Sequence, residues 1–289
     1  LWVFLRLGLT SFGGPVAHLG YFRTEFVARR GWLSEAEYAD VVALAPFLPG
    51  PASSQTGFAL GLMRGGLAGG LATWIGFTLP SAAVMVAAAY GVDVALGGTG
   101  AAVVHGLKLV AVAVVAQAVW GMATSLWPDR TRASIGVAAT LALLLLPSAL
   151  TQIAAILAGA AAGLALCRDG APAGGAPVGF AVGRRAGMAA LAAFAVLLFG
   201  LPLLSGLGTW VALTEASYRA GALVFGGGHV VLPLLEEGFV PRWLGQDVFL
   251  AGYALAQAVP GPLFTFAAFL GAATGGVAGG AVALVAVFL

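Results

Sequence analysis

The sequence predicts an all-α polytopic membrane protein made of two inverted homologous halves with broken or re-entrant helices, the second half truncated. Three observations carry that expectation. Charged residues make up only 8% of the chain against 61% hydrophobic, with a mean hydropathy of +1.01, whereas a soluble domain uses roughly 25% charged residues. Apolar runs of about 20 residues recur along almost the whole chain, long enough to cross a hydrocarbon core about 30 Å thick. Finally, a glycine- and proline-rich interruption near the start, Gly13-Gly14-Pro15, is followed by others of the same kind, and the set is doubled along the chain.

The first segment, residues 1–22, carries Gly13-Gly14-Pro15 in the run from Arg6 to His18. Glycine gives up backbone entropy and proline lacks an N–H and clashes with the preceding turn, so a regular helix stops there. In a bilayer the freed N–H and C=O groups survive only where protein or a water-filled cavity satisfies them. A broken segment at membrane depth is therefore a candidate binding site. The charged stretch 23–40 follows, with Trp32 and Tyr38 where interfacial aromatics sit.

Segment 36–62 is interrupted by Pro46 and by Pro49-Gly50-Pro51, which predicts a second broken helix. Arg64-Gly65-Gly66 is a short turn into segment 67–91, which contains Pro80. Segment 100–127 holds His105 and Lys108 near its start and ends at Trp127-Pro128. Pro147 divides the apolar stretch 133–167 into two spans. The Gly/Pro-rich residues 168–185 read as a linker between an N-terminal half, 1–167, and a C-terminal half, 186–289. The second half contains a span at 186–205, a segment at 211–235, another at 247–271 and an apolar run after Gly275. The chain opens on Leu1 and stops within that run, as expected of a piece of a longer protein.

Self-similarity is the most informative feature. Arg6, Phe12, Gly13 and Gly14 recur as Arg219, Phe225, Gly226 and Gly227, an offset of 213 that persists from Phe26-Val27 to Phe239-Val240. Trp32-Leu33 then matches Trp243-Leu244, and Pro49-Gly50-Pro51 matches Pro260-Gly261-Pro262, at an offset of 211. Apolar low complexity generates matched Ala and Leu, not aligned Arg, Trp and Pro-Gly-Pro. The loop after the first segment is richer in Arg than its counterpart at 236–247, so the positive-inside rule puts the two loops on opposite sides. That makes the repeat inverted. The parity of the spans stays open, because each broken segment either crosses or folds back as a re-entrant hairpin.

The Phe-Gly-Gly-Pro-Val-Ala-His run, the Trp-Leu to Pro-Gly-Pro spacing, and the second copy from Phe225 to His229 with Ala256-Gln257-Ala-Val-Pro260-Gly-Pro262 resemble the chromate transporter (CHR, ChrA-type) family over nearly the whole chain. The resemblance implies a bacterial or archaeal inner-membrane protein that exports chromate and is tied in some members to sulfate. The expected partners are therefore the lipid bilayer and chromate or a sulfate-like oxyanion. Proton coupling and pairing as a homodimer are open to such a carrier.

A divalent oxyanion needs donors and positive potential without a cage that prevents release. Helix N-termini supply free N–H groups and about half a positive charge each, and glycine lets amides approach without a Cβ in the way. Breaks at Gly13-Gly14-Pro15 and Gly226-Gly227-Gly228, meeting those at Pro49-Gly50-Pro51 and Pro260-Gly261-Pro262, are thus expected to offer four half-helix termini to one site. The alternative is that the prolines only kink helices for packing. Arg6 and Arg219 are matched cations in apolar segments, either functional or snorkelling to headgroups. His18 and His229 follow the glycine breaks, although His229 aligns with Val16. Both are candidate donors or proton-linked groups. Ser53, Ser54, Gln55 and Thr265 follow the Pro-Gly-Pro breaks as donors or helix caps, and Gln257 lies one turn before the second. Glu215 is the carboxylate best placed for proton coupling.

Other classes find little support. The net charge of +2 comes without a basic tract, so no nucleic acid is expected. A single cysteine, Cys167, excludes an internal disulfide and a cysteine metal cluster. No nucleophile elbow, HExxH or phosphate loop is present, so neither an enzyme nor a cofactor is expected.

Overall fold

The computed structural model describes residues 1–45, 48–96, 106, 116, 120, 129–146, 149–167, 182–224 and 231–289. Secondary structure among them is essentially helical. In chain order the helices are α1 (Trp2–Thr10), α2 (Gly14–Phe22) with a π-helical extension over Arg23–Arg29, α3 (Glu35–Leu44), α4 (Ala52–Leu96), α5 (Arg130–Leu145), α6 (Ala149–Leu166), α7 (Arg184–Leu204), α8 (Thr209–Ala222), α9 (Val231–Phe239), α10 (Gln246–Ala258) and α11 (Phe266–Phe288). Short 3-10 turns follow α7 at Ser205–Leu207 and lead into α11 at Leu263–Thr265. Among the described residues three stretches are apolar and, by residue count, long enough to cross a membrane, 52–91, 184–207 and 263–288, the first and third interrupted by glycine turns. The chain is a membrane protein. Along α7, Leu191, Val196 and Phe199 are about 70% exposed, a surface suited to lipid rather than water.

The described residues group into two compact units, 1–111 with 175–289, and 112–174. In the smaller unit α5 and α6 pack on each other, and the Asp129 side chain caps α5 by accepting from the Arg132 N–H. Pro46, Pro147, His105, Lys108 and residues 168–181 of the expected linker lie outside the described residues.

In the larger unit, α1 and α2 fold back on each other. Phe4 stacks on Phe26 with ring centroids 4.9 Å apart and meets Phe22 edge-on at 5.6 Å. In one straight helix residues 4 and 22 would lie about 27 Å apart. Each nine-residue helix spans about 14 Å, and the first segment is a hairpin with its tip at Ser11–Gly13. Gly13 and Gly14 take the left-handed φ values of +94° and +76° that the tip requires, and Pro15 sits in the first turn of α2, where its missing N–H costs nothing. α8 and α9 pack antiparallel, Gly238 lying so close to Ala216 that an added Cβ would be 3.1 Å from the alanine methyl.

The 52–96 helix is two arms. Gly65 and Gly66 leave helical geometry, Gly66 at φ +59°, and a Cβ on Gly69 would sit 2.2 Å from the Gly61 carbonyl oxygen. Residues eight apart in a straight helix are about 12 Å apart, so the chain reverses at the expected Arg64-Gly65-Gly66 turn. The same device recurs in α11. Gly275 and Gly276 break the helix with nearly identical angles, and Gly279 stands 2.2 Å, measured from an added Cβ, from the Gly271 carbonyl. These pairs match at an offset of 210, extending the repeat to its third segment. The two long arms touch end to start: Trp74 lies against Phe288 at 5.6 Å, and the Val277 N–H donates to the Tyr90 hydroxyl at 3.0 Å. Residues 67–96 and 277–288 therefore run antiparallel.

Candidate functional site

The interruptions meet. The Gly261 N–H of the second Pro-Gly-Pro donates to the Ser11 carbonyl at the tip of the α1–α2 hairpin, at 2.9 Å, and the Gly50 N–H of the first Pro-Gly-Pro donates to the Val224 carbonyl at the end of α8, at 2.8 Å. By the offsets of 213 and 211, Ser11 corresponds to Val224 and Gly50 to Gly261, so one bond is made twice. Each half gives its Pro-Gly-Pro amide to the other half's hairpin tip, the reciprocal pattern of a two-fold contact. Gly50 and Gly261 adopt φ values of +116° and +107°, open to glycine and little else.

His18, on α2, joins the first two breaks within one half. It is buried, with 1% exposure, and its ring sits edge-on to Phe77 at 5.2 Å. Nε2 lies 3.2 Å from the Ser11 carbonyl oxygen and Nδ1 lies 3.3 Å from Ser53 Oγ. A carbonyl only accepts, so Nε2 carries the hydrogen, and in the neutral ring Nδ1 accepts from the Ser53 hydroxyl. Contacts run from Gly261 through Ser11 and His18 to Ser53, which lies three residues after Gly50, whose own amide reaches Val224.

Three of the breaks lead into helix starts among the described residues: α2 at Gly14, α4 at Ala52 and the turn at Leu263. The first N–H groups of a helix have no partner within it, and Gly13 provides no side-chain cap to α2. Around them are buried polar atoms without a hydrogen-bond partner among the described residues, including Ser11 Oγ, Ser54 Oγ, Gln55 Oε1, Thr78 Oγ1 and Gln257 Nε2. Buried polar atoms are nearly always paired, so this concentration beside the breaks marks the region as polar by construction. The other Gln55 amide atom donates to the Pro49 carbonyl, closing the first Pro-Gly-Pro turn, and Thr265 Oγ1 donates to the Pro262 carbonyl at 2.9 Å, closing the second. Those two residues act as turn closers rather than caps of the following helix.

The arginines stand apart from these contacts. Arg6 is exposed, and Arg219 pairs with the buried Glu215 at 2.9 Å. Among the described residues, neither arginine is bonded to a break. Gly226, Gly227, Gly228 and His229 lie outside the described residues. Gly13 is exposed, while Pro15, Pro49 and Pro260 are partly buried and Pro51 and Pro262 are buried. The sequence does not single out Ser11, Thr78 or Ser81. Ser81, whose Oγ fills the space a Cβ on Gly261 would need, is signalled only as a polar neighbour of Pro80 within an apolar span. No group of three metal-ligating side chains occurs among the described residues.

A second cluster lies where α2 ends. Trp32 is covered by the guanidinium groups of Arg64, at 5.0 Å, and Arg30, at 5.6 Å, which brings the Arg64-Gly65-Gly66 turn to the loop after α2. Burial works to raise the Glu25 carboxyl, but hydrogen bonds from Arg30 and Arg29 outweigh it and hold the group below the ordinary glutamate value.

An apolar helical chain whose interrupted helices interlock through backbone bonds has the build of a membrane transporter. The pattern that defines the chromate transporter family matches residues 1–164 and 211–289. The chain is 30% identical over 300 residues to a probable chromate transport protein of Synechococcus elongatus, covering 99% of this chain and 71% of that protein. Chromate transport proteins of Pseudomonas aeruginosa and Cupriavidus metallidurans are also 30% identical, over 99% of this chain and 68% and 70% of theirs. This chain belongs to the chromate transporter family. No solved structure matches it.

Proposed function

We propose that this protein moves chromate, or a sulfate-like dianion, across the bacterial or archaeal inner membrane as a secondary transporter working by alternating access, with chromate leaving the cell. The reciprocal bonding of the breaks, Gly50 to Val224 and Gly261 to Ser11, carries the reading. It draws the starts of the half-helices together, where their N–H groups favour an anion and no fixed cation prevents its release. In this reading the amides near Gly13, Gly14, Gly50 and Gly261 and the side chains of His18, Ser53, Ser54, Gln55 and Gln257 form the site. Gly226–Gly228 and His229 complete it through the repeat, and the prolines at 15, 49, 51, 260 and 262 fix the breaks. Arg6 and Arg219 serve as entry charges.

An inverted relation between the halves is supported by the antiparallel arms 67–96 and 277–288 and by the Arg-rich end at Arg23, Arg29, Arg30 and Arg64. The alternating-access step is the exchange of one repeat's hairpin tip against the other's Pro-Gly-Pro turn. The test is flux of radiolabelled chromate and sulfate into proteoliposomes with and without an imposed pH gradient. Accumulation above equilibrium under the gradient is the expected result. Purely downhill flux would make the protein an anion channel of the same architecture, and no flux of either anion would end the reading.

A further inference from the structure

We propose that His18 is the proton carrier of this transporter, its ring taking up one proton with each dianion; the inference rests on the transport reading above. The ring holds two of the four breaks through opposite edges, Ser11 O on Nε2 and Ser53 Oγ on Nδ1, and the same Ser11 carbonyl receives the Gly261 amide of the other half. A change of state at His18 is thus felt by both halves at once. In the neutral ring Nδ1 accepts from the Ser53 hydroxyl. When a proton from water adds to the Nδ1 lone pair, Nδ1–H becomes the donor and Ser53 Oγ the acceptor, so the Ser53 hydroxyl hydrogen swings away. Ser53 lies in the first turn of the 52–64 arm, where the unpaired N–H groups already favour an anion, and its released hydrogen becomes one more donor there. The Nε2 bond to Ser11 is kept throughout. When the anion leaves, the proton returns to water and the Ser53 hydroxyl turns back.

Among the described residues no carboxylate is bonded to the ring, so the imidazolium takes the transported anion as its counter-charge. α3 reaches α2 through the Tyr38 hydroxyl, which donates to the Leu19 carbonyl, and its Glu35 and Glu37 are held by Arg23 and Ser34. α1 contributes Arg6, exposed, and α2 itself only Tyr21 and, in its extension, Arg23, Glu25 and Arg29 at the loop end. The two arms of α4 carry Arg64, drawn onto Trp32 at the turn, Tyr90, bonded to Val277, and Asp93 near the far end. Residues 260–289, including the break that meets Ser11, contain no ionisable side chain. No carboxylate pairs with His18 among the described residues. Proton and dianion therefore raise each other's affinity by the same factor.

Sulfate is the probe of choice, because it stays a dianion across neutral pH whereas chromate itself titrates there. One proton carried with a dianion leaves one net negative charge, which the inside-negative potential of a cell drives outward. In proteoliposomes without a potential the pH gradient acts alone, so the wild type is expected to accumulate labelled sulfate when the outside is acid, and its sulfate affinity to fall about tenfold per pH unit above the ring's titration, as one linked proton requires. His18→Gln keeps a donor for Ser11 O but cannot titrate. It is expected to slow sulfate exchange at symmetric pH, and the exchange that remains loses its dependence on pH while gradient-driven accumulation falls to the equilibrium level. His18→Asn, which keeps the contact on the Ser53 side, is the second variant should the first fail to fold. Wild-type accumulation or pH dependence surviving in either variant would overturn the assignment while leaving the transport reading intact. Absence of any sulfate or chromate exchange in the wild type would remove both.

Discussion

At the scale of single residues, the glycines of this protein fall into two kinds that the sequence does not distinguish. Gly31, in the loop before α3, has φ +57° with no neighbour within 4 Å of an added Cβ. Gly261 has φ +107° and would place a Cβ 2.6 Å from Ser81 Oγ and 3.4 Å from the Gly8 carbonyl. Alanine at Gly31 meets only the left-handed strain of about 1–2 kcal/mol, so Gly31→Ala is expected to lower the melting temperature in detergent modestly and leave sulfate flux unchanged. Gly261→Ala meets a φ of +107°, outside the left-handed well, and also drives the Ser81 side chain away from the bond that joins the halves. Its flux per inserted molecule is expected to fall at least tenfold, and Ser81→Gly in the same chain to restore part of it. Equal flux in Gly31→Ala and Gly261→Ala would show that the Gly261–Ser11 contact has no part in transport. Legibility at this scale is uneven. Gly50 and Gly261 stand out because proline flanks them, whereas Ser11 and Ser81 acquire their meaning only from what the other half brings against them.

At the scale of elements, the places where helices stop are readable from the sequence, because glycine and proline act locally through φ, ψ and the missing N–H. The path of the chain beyond each stop is not. A broken helix that continues onward and one that folds back have the same local sequence; the difference lies in Phe4 stacking on Phe26 and in Gly238 against Ala216, contacts 22 residues apart. The Gly65-Gly66 turn illustrates the point again. Local composition is enough to predict the turn, but the close approach of Gly61 to Gly69 eight residues later, which lets the two arms of α4 lie backbone to backbone, depends on small residues at both positions. Valine at Gly69 would put its Cβ 2.2 Å from the Gly61 carbonyl oxygen, with backbone atoms that have nowhere to move. Gly69→Val is therefore expected to give protein that aggregates on extraction, and Gly279→Val to do the same at the equivalent turn. The exposed Leu71 next to the first turn should accept valine with a monodisperse elution profile. If Gly69→Val also eluted as a monodisperse, active protein, the arms would have to be separate in the membrane.

At the scale of the whole molecule, the position of the axis that relates the halves decides how the transporter can work. Reciprocal bonds between the breaks arise from any two-fold axis, but the direction of equivalent helices depends on where that axis lies. An axis along the membrane normal makes equivalent helices parallel; an axis in the membrane plane makes them antiparallel and puts equivalent turns on opposite faces. Trp74 against Phe288 and Tyr90 against Val277 favour the second case, as does the gathering of Arg30 and Arg64 on Trp32 at one end, given the bias of arginine toward the cytoplasm. Leu67 and Val277 are equivalent positions just beyond the two glycine turns and are 59% and 62% exposed, so each accepts a cysteine without disturbing the core. With Cys167 replaced by serine, Leu67→Cys is expected to resist a membrane-impermeant maleimide in intact cells and to react in inverted vesicles, and Val277→Cys to show the opposite preference. Labelling of both from the same side would make the repeat parallel. The two hairpin tips would then enter from one face, and a site exposed alternately by exchanging equivalent halves would lose its structural basis.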